Sequence, residues 1–175
     1  MYYIITQIIG AMAYAALAFS YFKKQKKEIL FMQIIAYLLF SIHYFMLDGL
    51  TGAICNVVGL VALIAIYLFD KYNLKNKKLL VMSIIPIFGV VLFFTYKDIF
   101  SIFPVIASSV TILSFITKSE RTIRGIGIVS AECWLVYAII LRSPVTIILE
   151  VVILIFVVIA FVKFEKQKFT KKNKE

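Results

Sequence analysis

Apolar positions along the chain gather into seven runs, over residues 2–22, 29–47, 52–69, 79–96, 100–117, 124–141 and 145–163, separated by KKQKKE, LDGLTG, DKYNLKNKK, YKDIF, KSERTIR and RSPV. A helix needs about 20 apolar residues to cross the hydrocarbon of a bilayer, and each run meets or nearly meets that length. The pattern predicts an all-α integral membrane protein with seven transmembrane helices. No intervening turn is long enough to hold another domain. The first run has neither a basic start nor a small-residue cleavage site, so it is expected to be kept as a span rather than removed as a signal peptide.

The basic residues sort by turn. Lys23, Lys24, Lys26 and Lys27 share one turn, Lys71, Lys75, Lys77 and Lys78 another, Lys118, Arg121 and Arg124 a third, and six lysines follow from Lys163 onward. These turns alternate with turns that hold only Lys97 and Arg142. Short loops rich in Lys and Arg stay on the cytoplasmic side, so the alternation predicts an N-terminus outside and a C-terminus inside the bacterial plasma membrane. Losing any one span would scramble the alternation, which supports the odd count. The tail KFEKQKFTKKNKE reads as a solvated positive-inside anchor, basic enough to rest on anionic headgroups at about 1 kcal/mol per lysine near the surface.

Composition changes the picture in one respect. With 63% hydrophobic and 16% charged residues, the chain carries more apolar surface than one globular core of its length can hide, so lipid must be its solvent. The net charge of +10 follows from topology; the basic residues are not interleaved with aromatics on an exposed face, and a nucleic-acid partner is not expected. Cys55 and Cys133 fall inside apolar runs and read as small buried hydrophobes. With one histidine, no paired metal ligands, no nucleophile beside a base and no glycine-rich phosphate loop, neither an enzyme nor a bound metal or cofactor is expected.

Shifting the chain by 94 residues superimposes the first three runs on the last three without a gap. Ser20 meets Ser114, the basic turn from Lys23 meets the one from Lys118, and Asp48-Gly49-Leu50 meets Arg142-Ser143-Pro144. The expected organisation is a triple-helix repeat over 1–70, a linker helix over 71–98, a second triple-helix repeat over 99–164 and a basic tail over 165–175. Two parallel triplets need an extra span to restore the orientation of the second. The run LLVMSIIPIFGVVLFFTY, with a kink expected at Pro86 and Gly89, is that inverting linker.

Polar groups inside spans are costly and usually face a bundle interior or a wet cavity. Gln7, Gln33, His43, Asn56, Ser108, Ser109, Ser130, Glu132 and Glu150 are the candidates, with Trp134 as the single tryptophan. Ser108 and Ser109 are expected to ease close helix approach or to bond back to the backbone, and Glu132, about 200° around its helix from Trp134, to face another helix. The same shift pairs Phe40 with Trp134, His43 with Tyr137 and Asn56 with Glu150. Each triplet thus offers an aromatic on its second helix and a polar group on its third, 16 residues later. Two such pairs about a two-fold axis converge on one pocket, with aromatic walls and hydrogen-bonding groups for a small polar solute.

At these residues the chain resembles the seven-span, three-plus-one-plus-three transporters of the SWEET and PQ-loop superfamily, in which a tryptophan on the second helix and an asparagine on the third line the sugar pocket. Trp134 and Asn56 match that motif, whereas Phe40 and Glu150 depart from it, and an ionisable Glu150 suits a cationic or proton-coupled solute better than a plain sugar. The stretch QIIAYLLFSIHYFMLDGLTGAICNVVG also resembles the bacterial inner-membrane YgjV family, with Gly59 where an arginine is expected. The resemblance implies a facilitator with Phe40, Asn56, Trp134, Glu150, His43 and Tyr137 at its pocket, and its half-size relatives, which dimerise one triplet, allow a homo-oligomer. A proton-coupled carrier using Glu150 and a non-transporting membrane partner protein are the other expectations.

Overall fold

A computed structural model describes residues 2–117 and 119–172, with side chains described through Phe164. Lys118 and the side chains of the tail expected over 165–175 lie outside the described residues. Among the described residues the chain forms seven α-helices and no strand: α1 (Tyr2–Phe22), α2 (Lys26–Met46), α3 (Leu50–Lys71), α4 (Lys77–Thr95), α5 (Ile102–Ser114), α6 (Glu120–Ile140) and α7 (Pro144–Lys172).

Six of these helices are long and apolar enough to span a bilayer, α7 through Phe164. The fifth differs from the span expected over 100–117. A 3-10 turn, Ile99–Ser101, leads into the 13 residues of α5, and together they rise roughly 26 Å against about 30 Å of hydrocarbon. Polar chemistry fixes the start: Asp98 Oδ1 accepts the backbone N–H groups of Phe100 and Ser101 at 2.9 and 3.2 Å, and Ser101 Oγ accepts the N–H of Asp98. At the other end Phe115, Ile116 and Thr117 donate to carbonyls three residues back, a tighter winding than α. The apolar run continues through these residues, but the α-helix does not.

Short turns close the other helices. At the end of α2, Asp48 adopts a left-handed conformation (φ 57°), and Gly49 N–H reaches Tyr44 O at 2.9 Å. At the end of α3, Asn73 does the same (φ 51°), with Leu74 N–H on Phe69 O at 2.9 Å. Such turns satisfy carbonyls that a helix end leaves open. Arg142 ends α6 with φ 51°, and lies 94 positions after Asp48. The bounds of α6 likewise fall 94 positions after those of α2, and α7 begins 94 positions after α3.

Six helices close into a ring in the order α1, α2, α3, α5, α6, α7, while α4 packs outside against α3 and α5. Thr51 Oγ1 donates to Thr95 O at 3.0 Å and ties α4 to the start of α3. The outer surface of α4 is strongly apolar, with Phe93 80% and Phe94 77% exposed, as lipid contact requires. Within the ring, apolar burial gives little driving force because lipid tails are equally apolar, so close approach and internal hydrogen bonds must hold the helices together.

One end of the bundle carries the turns at 23–25, 72–76 and 115–117, with Lys26, Lys77 and Arg124 beside them. Here Lys26 Nζ donates to Phe115 O at 2.8 Å and lies 3.1 Å from Asp70, which also meets Lys77 at 2.8 Å. Arg124, buried at the start of α6, donates from Nε to Tyr21 O at 2.9 Å and from Nη2 to Lys23 O at 2.7 Å. Its guanidinium also covers the Phe164 ring at 4.0 Å. A lysine of α2 thus caps the end of α5, and an arginine of α6 caps the end of α1. The carbonyls they reach, Tyr21 and Phe115, are again 94 positions apart.

Toward the other end, α1, α2 and α7 meet at His43, whose ring is fully buried. Its Nδ1 lies 2.9 Å from the Thr6 carbonyl, which can only accept, so Nδ1 carries the proton. Nε2 then accepts from Thr146 Oγ1 at 3.4 Å, and Thr146 accepts from Ser143 at 2.7 Å. The ring fits because position 10 is glycine: a Cβ there would stand 2.5 Å from His43 Cε1. Gly10→Val is expected to lower stability in detergent by about 1–3 kcal/mol through overpacking, whereas Gly89→Ala, where a Cβ meets nothing within 4 Å, leaves the thermal midpoint unchanged or raised. Equal midpoints for the two variants would show that the His43 contact is not a packing constraint.

Candidate functional site

The centre of the ring holds a cavity of about 30 Å³, room for about two water molecules. Every ring helix contributes to its lining: Leu17 and Tyr21 from α1, Gln33, Tyr37, Phe40 and Tyr44 from α2, Asn56 from α3, Thr111 from α5, Ser130, Ala131 and Trp134 from α6, and Glu150 and Ile153 from α7. Four pairs among these lie 94 positions apart: Leu17 with Thr111, Tyr37 with Ala131, Phe40 with Trp134, and Asn56 with Glu150.

Helical spacing explains how α2 supplies four of them. Gln33, Tyr37, Phe40 and Tyr44 recur at intervals of four, three and four, so they share one face. Two of the tyrosines sit in slots made by glycines on neighbouring helices. A Cβ at Gly59 would stand 2.3 Å from the Tyr37 ring, and one at Gly127 would stand 2.7 Å from the Tyr21 ring. The glycines let large rings lie flat between helices at a spacing that any side chain would widen.

Glu150 is 3% exposed, and both of its donors are phenols. Tyr14 Oη donates to Oε1 at 2.8 Å, and Tyr44 Oη approaches the same oxygen at 3.4 Å. A carboxyl in so dry a place needs such donors, since burying it unpaired costs several kcal/mol. The Tyr44 ring stacks on Trp134 with centroids 5.0 Å apart and lies 5.9 Å from Tyr137. Phe40 meets Tyr14 edge-on at 4.7 Å. The carboxyl therefore sits inside an aromatic cluster drawn from α1, α2 and α6.

The structure brings Phe40, Asn56, Trp134 and Glu150 to one cavity. His43 and Tyr137 do not line it. His43 is held among α1, α2 and α7, and Tyr137 covers the start of α3, its hydroxyl 3.4 Å from Gly52 N. Asn56 directs Nδ2 to Gly52 O of its own helix at 2.8 Å, which leaves its carbonyl oxygen for the cavity. Glu132, expected to face another helix, is exposed on the outer side of α6, and Cys133 is half-buried where full burial was expected. Tyr14 is the functional neighbour the sequence reading missed; its seven-residue spacing to Tyr21 on α1 was the available signal.

Residues 4–168 match the Imp-YgjV family, described as bacterial inner membrane protein. The chain belongs to that family. The match extends from α1 well into α7, beyond the first-half stretch where the resemblance is plainest by eye. With its apolar helices, this family member is a multi-pass protein of the bacterial inner membrane, in contact with the lipid bilayer. No curated protein matches it. No solved structure matches it either.

The Glu150 geometry yields a quantitative expectation. In a double-mutant cycle of Tyr14→Phe and Glu150→Gln, measured by unfolding in detergent, the pair is expected to show a coupling of about 1–3 kcal/mol. A coupling near zero would mean that the phenol does not support the carboxyl.

Proposed function

We propose that the chain is a SWEET-like facilitator that carries a small polar solute through the central cavity. The observation that carries this reading is the cavity itself: a largely apolar, aromatic-walled space with a few polar groups, reached by all six ring helices, with four pairs of lining residues at one constant sequence offset. Two triplets, α1 to α3 and α5 to α7, joined by α4 as an inverting linker, account for that offset. The same arrangement accounts for the matched bounds of α2 and α6 and for the left-handed residues Asp48 and Arg142. The stretch Ile99–Ser114 serves as the seventh crossing, with local bilayer thinning making up its short rise. The Lys-rich end is cytoplasmic and the N-terminus external by the charge rule.

At about 30 Å³ the cavity is far below the few hundred Å³ of a typical small-molecule site, so carrying a solute requires it to widen. Loading from the cytoplasm requires the two triplets to part at the basic end. Two caps cross between the triplets there, Lys26 on Phe115 O and Arg124 on Tyr21 O and Lys23 O. They are suited to be the inner gate because each joins a second helix of one triplet to the end of the first helix of the other.

A second reading, a non-transporting partner protein, draws on Glu132. A carboxyl exposed in the middle of α6 is costly against lipid, and a neighbouring helix would relieve it. Flux separates the two readings. Proteoliposomes holding the purified chain are expected to take up a small polar solute saturably, with the rate reduced at least about tenfold, the equivalent of 1.4 kcal/mol, by Trp134→Ala and by Asn56→Ala. No flux of any sugar, amine, nucleoside or vitamin tested would overturn the facilitator reading.

A further inference from the structure

Resting on the reading of the cavity as a solute passage, we propose that the solute is a compact primary ammonium cation, methylammonium in size. Two oxygens of the lining are open to an incoming cation. Both phenols that reach Glu150 converge on Oε1, leaving the second carboxyl oxygen without a protein donor. Asn56 has spent an amide N–H on Gly52 O, which leaves its carbonyl oxygen. Thr111 and Ser130 turn their hydroxyls to each other and to Ala107 O.

An alkylammonium group presents three N–H donors and no acceptor, which complements this set. Charge points the same way: among the described residues Glu150 is the only acid lining the cavity and no Lys, Arg or His lines it, so the lining supplies no counter-ion to a carboxylate there. Around it stand the rings of Phe40, Tyr44 and Trp134, whose faces attract cations in dry surroundings. Size favours a compact cation, since the cavity measures about 30 Å³.

The test is equilibrium binding to the purified full chain in lipid nanodiscs, read by thermal midpoint and by titration calorimetry. Methylammonium chloride is expected to raise the midpoint saturably relative to sodium chloride at the same ionic strength, while methanol, neutral and of the same size, does not. Glu150→Gln is expected to weaken methylammonium binding at least about tenfold, since a charge-assisted bond is lost. The comparison of methylammonium with methanol on the unmodified chain stands even if that variant does not fold. Equal stabilisation by methanol, or full binding retained in Glu150→Gln, would overturn the assignment. Flux of neutral solutes without methylammonium binding overturns the ligand class and keeps the passage; methylammonium binding without flux keeps the ligand class and overturns the passage.

Discussion

A carboxyl buried at the centre of a lipid-embedded bundle sets the terms for everything around it. Glu150 must be supplied with donors from within the protein, and two phenols on two other helices do so. That requirement fixes the register of α1 and α2 against α7, since a slip of one residue on any of them turns a partner away by about 100°. The aromatic cluster follows from it. Once the Tyr44 hydroxyl is committed to Glu150, its ring is placed for Trp134 to stack on, and Phe40 closes edge-on against Tyr14. Lipid offers no competing solvation for the carboxyl, so the arrangement is held by the cost of breaking it as much as by the contacts it makes.

Three of the buried rings sit where the opposing helix carries glycine. Gly10, Gly59 and Gly127 receive His43, Tyr37 and Tyr21, so the positions that lack a side chain are also the places where large polar-tipped side chains sit. Packing and polar satisfaction are therefore one problem here, and the cavity is what the rings leave unfilled. The ends of the bundle solve a different problem. Helix C-termini leave carbonyls open, and at the basic end a lysine and an arginine from opposite sides of the ring supply the donors.

Much of this was legible in the sequence, for physical reasons. Apolar run length reports bilayer thickness, so six long spans were visible, and the constant offset placed Phe40, Trp134, Asn56 and Glu150 as equivalents before they were seen to share a cavity. The fifth helix is shorter than its apolar run because hydropathy continues through Phe115, Ile116 and Thr117 while the backbone tightens there. His43 was drawn toward the pocket by its spacing from Phe40, three residues and nearly one turn, but Gly10 opens a place for it against α1 instead. Tyr14 was overlooked since a tyrosine in an aromatic-rich helix carries no mark of a hydrogen bond to a residue 136 positions away. Glu132 shows the limit of a helical-wheel argument: it lies away from the cavity as its angle demands, but angle alone does not say whether a helix or lipid lies there.

The central claim is that the cavity opens to each side of the membrane in turn. Ala131 lines it from α6 and is small enough to become a reporter as Ala131→Cys, with Cys55 and Cys133 replaced by serine. Modification of that thiol by a membrane-impermeant reagent, applied to one side of sealed proteoliposomes and then to the other, reads access to the cavity directly. The account predicts reaction from both sides, faster from the basic end when Arg124 is changed to Gln. A thiol that stays inert from both sides, in a protein that remains folded, would contradict it.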